Sequence, residues 1–221
     1  MTHDHSLAEA RARMILGQVR TNDVQDLGVI GAMETLPREA FVPKDQQHLA
    51  YADAFVPVKA NRFLLDPRTL AKLLQAARIA PDERVLDIAP GTGYSTAVLC
   101  QLSRDVVALE EDADLAKQAS AVLARTPKIG HLFGAVGPHK AGHKDKGPYD
   151  VILVNGAVSS PSEAWGQQLK PGGRMLVVVN QGPVGKARLY VQDGGILAGR
   201  DVFEATVPLL PGFSAVREFA F

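Results

Sequence analysis

Beyond Asn61 the apolar positions follow two alternating rhythms. Short β-branched runs at residues 84–88, 106–109, 151–154 and 175–179 read as strands. Between them, "STAVLCQL" and "DADLAKQASAVLA" place apolar residues at helical spacing. Residues 129–133 are a weaker strand candidate, and Pro161, Glu163 and Trp165 open a third helix that stops before "KPGG". Strand and helix in alternation predict a parallel sheet with helices on both faces. The rhythm then changes, because "ARLYVQ", the turn "DGG" and "FEATVPL" predict antiparallel strands at one sheet edge.

Ahead of the sheet, residues 7–17 and 26–36 carry helical patterns, interrupted by "RTND" and ended by Pro37, and predict a helical cap. Asp66 and Pro67 form a helix start, with an acid at the N-cap and proline at the first helical position. Leu70, Leu73, Leu74 and Ala77 then share one face. A chain of 221 residues, 46% of them hydrophobic, buries one substantial core. Lys plus Arg and Asp plus Glu number 24 each, so no global field recruits nucleic acid or an anionic membrane. The single cysteine, Cys100, lies in an apolar run where a buried inert thiol is expected. No segment approaches the roughly 18 apolar residues that cross a bilayer, and the expected location is the cytoplasm.

The chemistry-bearing stretch is "VLDIAPGTGYSTAVL", residues 85–99. A strand ending near Asp87, a loop with Gly91 and Gly93, and a helix from about Tyr94 aim backbone N–H groups into a crevice at the carboxyl end of a sheet. A dinucleotide loop needs a third glycine where Thr96 stands, and the run lacks the Lys-Ser/Thr pair of a phosphate loop. S-adenosylmethionine, which carries no phosphate, suits the pattern better, with Glu110 after the second strand as the ribose-binding acid. Taken alone, Gly91 and Gly93 also suit a tight turn that binds nothing, and Glu110 a solvated strand end.

Six segments carry a resemblance. They are "RMILGQVR" at residues 13–20, "LPREAFVP" at 36–43, "AYADAFVPV" at 50–58, the loop itself, "YDVILVNGA" at 149–157 and "LKPGGRMLVVV" at 169–179. In this order they resemble the protein-L-isoaspartate O-methyltransferase family over most of the chain. The resemblance implies a Rossmann-like sheet of about seven strands with one antiparallel strand, S-adenosylmethionine as cofactor, and methyl transfer to the isoaspartyl carboxylate of a protein or peptide. It also implies a division into a helical cap with the acceptor segment, residues 1–75, and a Rossmann-like unit, residues 76–221. On this reading Asp87, Ala89, Gly91, Gly93, Tyr94, Glu110 and Ala135 are cofactor-side positions, and no metal is called for.

The chain departs from the family pattern at the acceptor. Where relatives carry Thr-Ile-Ser-Gln-Pro, this chain has "FLLDP", with Leu65 at the serine position and Asp66 at the glutamine position. A donor is lost and an anion gained, and two like charges about 4 Å apart repel by about 4 kcal/mol at an effective dielectric of 20. On the cofactor side, Ala89 replaces the first loop glycine and Ala135 replaces an acid near the adenine. Pro90 is expected to hold Ala89 extended. The leading expectation is a methyltransferase of this type with an altered acceptor and little isoaspartyl activity. The alternative is a catalytically inert relative serving as a binding or regulatory module, and a nicotinamide oxidoreductase is disfavoured by Thr96.

Other residues read plainly. His139 and His143 sit in "GPHKAGHKDKG", where glycines, Pro138 and three lysines predict a solvated loop rather than a metal site. His3 and His5 lie in a terminal segment. Trp165 and Phe41 fit core packing, Tyr94 fits either cofactor contact or packing, and Asn155 faces the crevice on topology.

Overall fold

The computed structural model describes the backbone of residues 2–214 and the side chains of residues 6–214, which leaves the side chains of His3 and His5 outside the described residues. Helix α1 (Thr2–Met14) continues through a π turn at Ile15–Val19 and a 3-10 turn at Arg20–Asn22, so the first helical segment begins earlier than expected. Helix α2 (Leu27–Thr35) starts where Asp26 accepts the Val29 N–H at 3.0 Å. Strands β1 (Val56–Lys59) and β2 (Arg62–Leu64) form a separate antiparallel hairpin. Helix α3 (Pro67–Ala77) begins with Asp66 Oδ1 accepting the Thr69 N–H at 2.8 Å, a cap that contributes about 1 kcal/mol.

The main sheet contains β3 (Arg84–Ile88), β4 (Asp105–Glu110), β5 (His131–Val136), β6 (Tyr149–Val158), β7 (Leu169–Val179), β8 (Lys186–Asp193) and β9 (Ile196–Glu204). Their spatial order is β5-β4-β3-β6-β7-β8-β9. β3 to β7 pair in parallel, and β8 runs antiparallel to both of its neighbours. The sheet is therefore mostly parallel with an antiparallel edge, as the alternation and the hairpin signal imply. Strand order reverses between β3 and β6, and the crevice beyond their carboxyl ends is where such sheets bind ligands.

Helices α4 (Tyr94–Leu102) and α5 (Ala113–Leu123) follow β3 and β4, while α6 (Glu163–Gly166) is a single turn before the chain enters β7. Buried residues form two clusters. Val85, Val106, Leu153 and Leu176 face α3 and α4, and Leu86, Val107, Ile152, Met175 and Trp165 form the opposite face. The period-2 alternation of Val85 and Leu86 between these clusters is what a strand buried on both faces requires. Residues Leu70, Leu73 and Leu74 of α3, together with Met14 and Val29, belong to the first cluster.

Two strands depart from the expected pattern. β5 covers His131–Val136 rather than residues 129–133, because pairing in parallel with β4 carries the weak strand formers Gly134 and Ala135 along. After β9 the segment "TVPL" leaves the edge, and Ala157 donates to Pro208 O and accepts from the Leu210 N–H beside the end of β6. Among the described residues no helix is long and apolar enough to cross a membrane.

Candidate active site

Asp87 is fully buried near the end of β3. Its carboxylate accepts hydrogen bonds from Ser95 Oγ (2.8 Å), Thr96 Oγ1 (2.7 Å) and Asn155 Nδ2 (2.6 Å). Burial pushes its pKa up to about 6, against the pull of those three donors. The acid thereby ties β3, the first turn of α4 and β6 into one rigid support under the loop. Asn155 also donates to Ile88 O at 3.0 Å, so its amide faces the crevice while bracing it.

Above this support the loop turns sharply. Ala89 adopts φ +60° instead of the extended conformation expected ahead of Pro90. The Ala89 N–H donates to Leu109 O at 2.9 Å, and this tie to β4 enforces a left-handed turn that costs a non-glycine residue about 1–2 kcal/mol. Gly91 (φ +61°) and Gly93 (φ +94°) adopt the same region without that penalty. At Gly93 a Cβ would also approach Ala119 Cβ and Leu123 Cδ1 to 3.1 Å, so the glycine lets α5 pack against the start of α4.

Glu110 ends β4 beside this loop with 2% of its surface exposed. Oε1 accepts from Arg62 Nη1 (2.6 Å) and the Asp112 N–H (3.0 Å). Oε2 accepts from Arg62 Nη2 (2.7 Å) and the Gly91 N–H (2.9 Å). Burial, the largest single influence, would raise the carboxyl's pKa, and the Arg62 guanidinium, His139 (Nε2 3.3 Å from Oε1) and the Asp112 N–H together outweigh it, holding the group down at about 2. Arg62 Nη2 also reaches Ala89 O at 3.2 Å. At the hairpin tip Lys59 pairs with Asp112 (2.6 Å) and Asp114 (3.0 Å), while Val58 and Leu64 lie over Gly91.

A cavity of about 780 Å³ opens from this point between α5 and strands β4 and β5. Pro90, Glu110, Ala113, Gly134, Ala135 and Val136 line the end near the loop. The segment 63–66, expected to line the acceptor, is different. Leu65 is 4% exposed, and Asp66 directs Oδ1 to its helix cap while Oδ2 is buried without a partner. The two cavities touching Leu65 and Asn155 measure about 10 Å³ each, room for a single water.

Tyr94 is buried, edge-on to Phe41 at 5.5 Å and beneath the Arg38 guanidinium at 4.6 Å, which favours the packing role. Arg38 itself is fully buried. It donates to Ala50 O (2.8 Å) and Leu65 O (2.7 Å), and Nη1 has no partner. The loop expected around His139 and His143 is exposed at residues 140, 141 and 144–146, but the solvated placement of His139 itself is corrected. His139 is 2% exposed, its Nε2 accepts the Glu111 N–H (3.0 Å), and its carbonyl accepts from Trp165 Nε1 (2.7 Å). Trp165 draws this segment into the core. Cys100 is buried as expected, with its thiol pushed up to about 12 by desolvation.

The expected set Asp87, Ala89, Gly91, Gly93 and Glu110 converges at one crevice, with Ala135 at its outer rim. Arg62 and Arg38 were not anticipated. Arg62 meets its acid across 48 residues, a pairing that no local pattern encodes.

Comparison with known proteins shows the family. The model of the protein-L-isoaspartate(D-aspartate) O-methyltransferase family matches residues 10–208. A protein-L-isoaspartate O-methyltransferase from Methylorubrum extorquens (strain PA1) is 37% identical over 212 residues, covering 93% of this chain and 90% of the relative. One from Methylorubrum populi is 38% identical over 209 residues, covering 93% and 97%. A solved protein-L-isoaspartate O-methyltransferase superposes with a TM-score of 0.79 at 25% identity, over 91% of this chain and 66% of that one. A Plasmodium falciparum structure containing S-adenosyl-L-homocysteine shares the fold, with a TM-score of 0.75 at 19% identity over 93% and 96% of the two chains. The chain therefore belongs to the protein-L-isoaspartate(D-aspartate) O-methyltransferase family, whose members are S-adenosylmethionine-dependent methyltransferases.

Proposed function

We propose that this chain transfers a methyl group from S-adenosylmethionine to a carboxylate of a cytoplasmic protein or peptide, and that isoaspartyl groups are poor acceptors. The observation that carries this reading is Glu110, placed at the end of β4 within 2.9 Å of the Gly91 N–H and at one end of a cavity of about 780 Å³, ample for a nucleoside. The donor set suits the cofactor. Gly91 and Gly93 allow close backbone approach, Asp87 braces the loop, and Glu110 offers a carboxylate to the ribose diol. Ala135 offers the adenine no polar partner, which weakens binding by about 0.5–1.5 kcal/mol relative to an acid there.

When bound, the cofactor supplies an electrophilic methyl on a sulfonium. An acceptor carboxylate is already ionised at neutral pH and needs no general base, so this chain's contribution is alignment and donor groups. The segment 63–66 would line that acceptor. Leu65 offers no donor there, and Asp66 adds an anion. The small size of the cavities at Leu65 favours the second reading, an inert binding module, although Asp66 also lines a separate cavity of about 410 Å³.

Calorimetric titration with S-adenosylhomocysteine separates the two. Saturable binding at one site is expected, and absence of both heat and thermal shift at millimolar ligand would leave only the inert module.

A further inference from the structure

The four hydrogen bonds that Glu110 receives come entirely from the protein. An ionised carboxylate has about four lone-pair positions, and here Arg62 Nη1 and Nη2 with the Gly91 and Asp112 amides occupy them all, with His139 Nε2 a further 3.3 Å from Oε1. A ribose diol presents two O–H donors. The Arg62 fork presents two N–H donors to the same two oxygens, in a pair that is only 7% and 3% exposed. The backbone donors belong to the loop and to the start of α5 and cannot leave without unfolding the site. The guanidinium can, because it rides on a hairpin tip whose Lys59, Ala60 and Asn61 are exposed.

We propose that Arg62 is a resident competitor for the cofactor's ribose, and that the β1–β2 hairpin tip is a latch which must lift from Glu110 before the cofactor binds. This inference rests on the methyltransferase reading of the crevice. Lys59 holds the same tip to Asp112 and Asp114, at the N-terminus of α5, so two cations of one hairpin pair with three acids around the site. Val56 (0% exposed) and Leu64 (5%) anchor the hairpin's base, so the moving part is confined to residues 58–62. Lifting exchanges one bidentate set of charge-assisted bonds for another set of two, and the latch therefore lowers affinity without blocking the site.

The test is calorimetry of S-adenosylhomocysteine binding to the full chain, comparing wild type, Arg62→Gln and Arg62→Lys, with hydrogen exchange on the wild type. Arg62→Gln is expected to tighten binding at least tenfold. Arg62→Lys, a point charge that cannot fill both oxygens, should fall between the two. In the wild type, saturating ligand should accelerate amide exchange across residues 58–62 while slowing it at residues 89–93. Exchange on the wild type decides the matter even where a variant folds poorly. Unchanged or weaker binding by a folded Arg62→Gln, or slower exchange at 58–62 on binding, would overturn the latch and leave the methyltransferase reading standing. If no form binds at millimolar ligand, that reading fails and the latch with it.

Discussion

Replacing Leu65 by Ser together with Asp66 by Gln is expected to raise base-labile methyl ester formation on an isoaspartyl peptide by about 10²-fold, from a wild-type level near background. A single donor placed where charge must be held is worth about 10² to 10³ in rate, and the wild-type segment has none on its side chain at Leu65. Removing the Asp66 carboxylate also removes repulsion that no ion pair closer than the 3.8 Å contact with Arg68 offsets. The double variant has costs of its own. Asp66 caps α3 through Thr69, and glutamine caps poorly, so a stability loss of about 1 kcal/mol accompanies the change. Labelled methyl donor with an isoaspartyl peptide checks the outcome. Robust ester formation by the unmodified chain would show that Leu65 and Asp66 do not limit the acceptor.

The second large effect is on stability. Glu110→Gln removes the charge from a nearly buried ion pair and leaves the Arg62 guanidinium with an amide in place of its carboxylate. Breaking one side of such a pair typically costs about 3–5 kcal/mol, and the exposure of the neighbouring residues 59–61 puts the expected loss near the lower end, about 3 kcal/mol. Urea denaturation at neutral pH measures it. The pH dependence follows from the sign of the shift. The folded-state pKa of Glu110 lies below its ordinary value near 4.5, so its stabilisation is present above that pH and is lost as pH falls toward about 2. The glutamine variant should lack this component. Asp87 acts in the opposite sense. With its pKa raised to about 6, its contribution favours the fold at low pH and is lost as pH climbs from its ordinary value through 6.

Much of the architecture is legible in local pattern. β3 matches its β-branched run to the residue, Asp66 and Pro67 open α3 as their chemistry dictates, and Asp26 caps α2. These features depend on periodicity and on side chains acting within four residues. The convergence of Asp87, Gly91 and Glu110 also follows from strand order, because parallel pairing of β3 with β4 brings Asp87 beside Ala108 and the strand ends together. What escaped is tertiary. The Ala89 turn is imposed by a hydrogen bond to Leu109 in the neighbouring strand, which overrides the local preference set by Pro90. His139 is buried because Trp165 captures its carbonyl from another segment. Arg62 carries no local signal, and its role emerges only once Glu110 is placed opposite it.

The central claim is that the crevice formed by Ala89, Gly91, Gly93 and Glu110 is the cofactor site. Its most direct test is titration of the 15N-labelled chain with S-adenosylhomocysteine, followed by amide NMR. The expected result is saturable shifts at Gly91, Gly93, Glu111 and Ala135 with one common affinity. Shifts confined to the separate cleft of about 870 Å³ beside Ser159, Ser162 and Phe213, or no shifts at millimolar ligand, would contradict it.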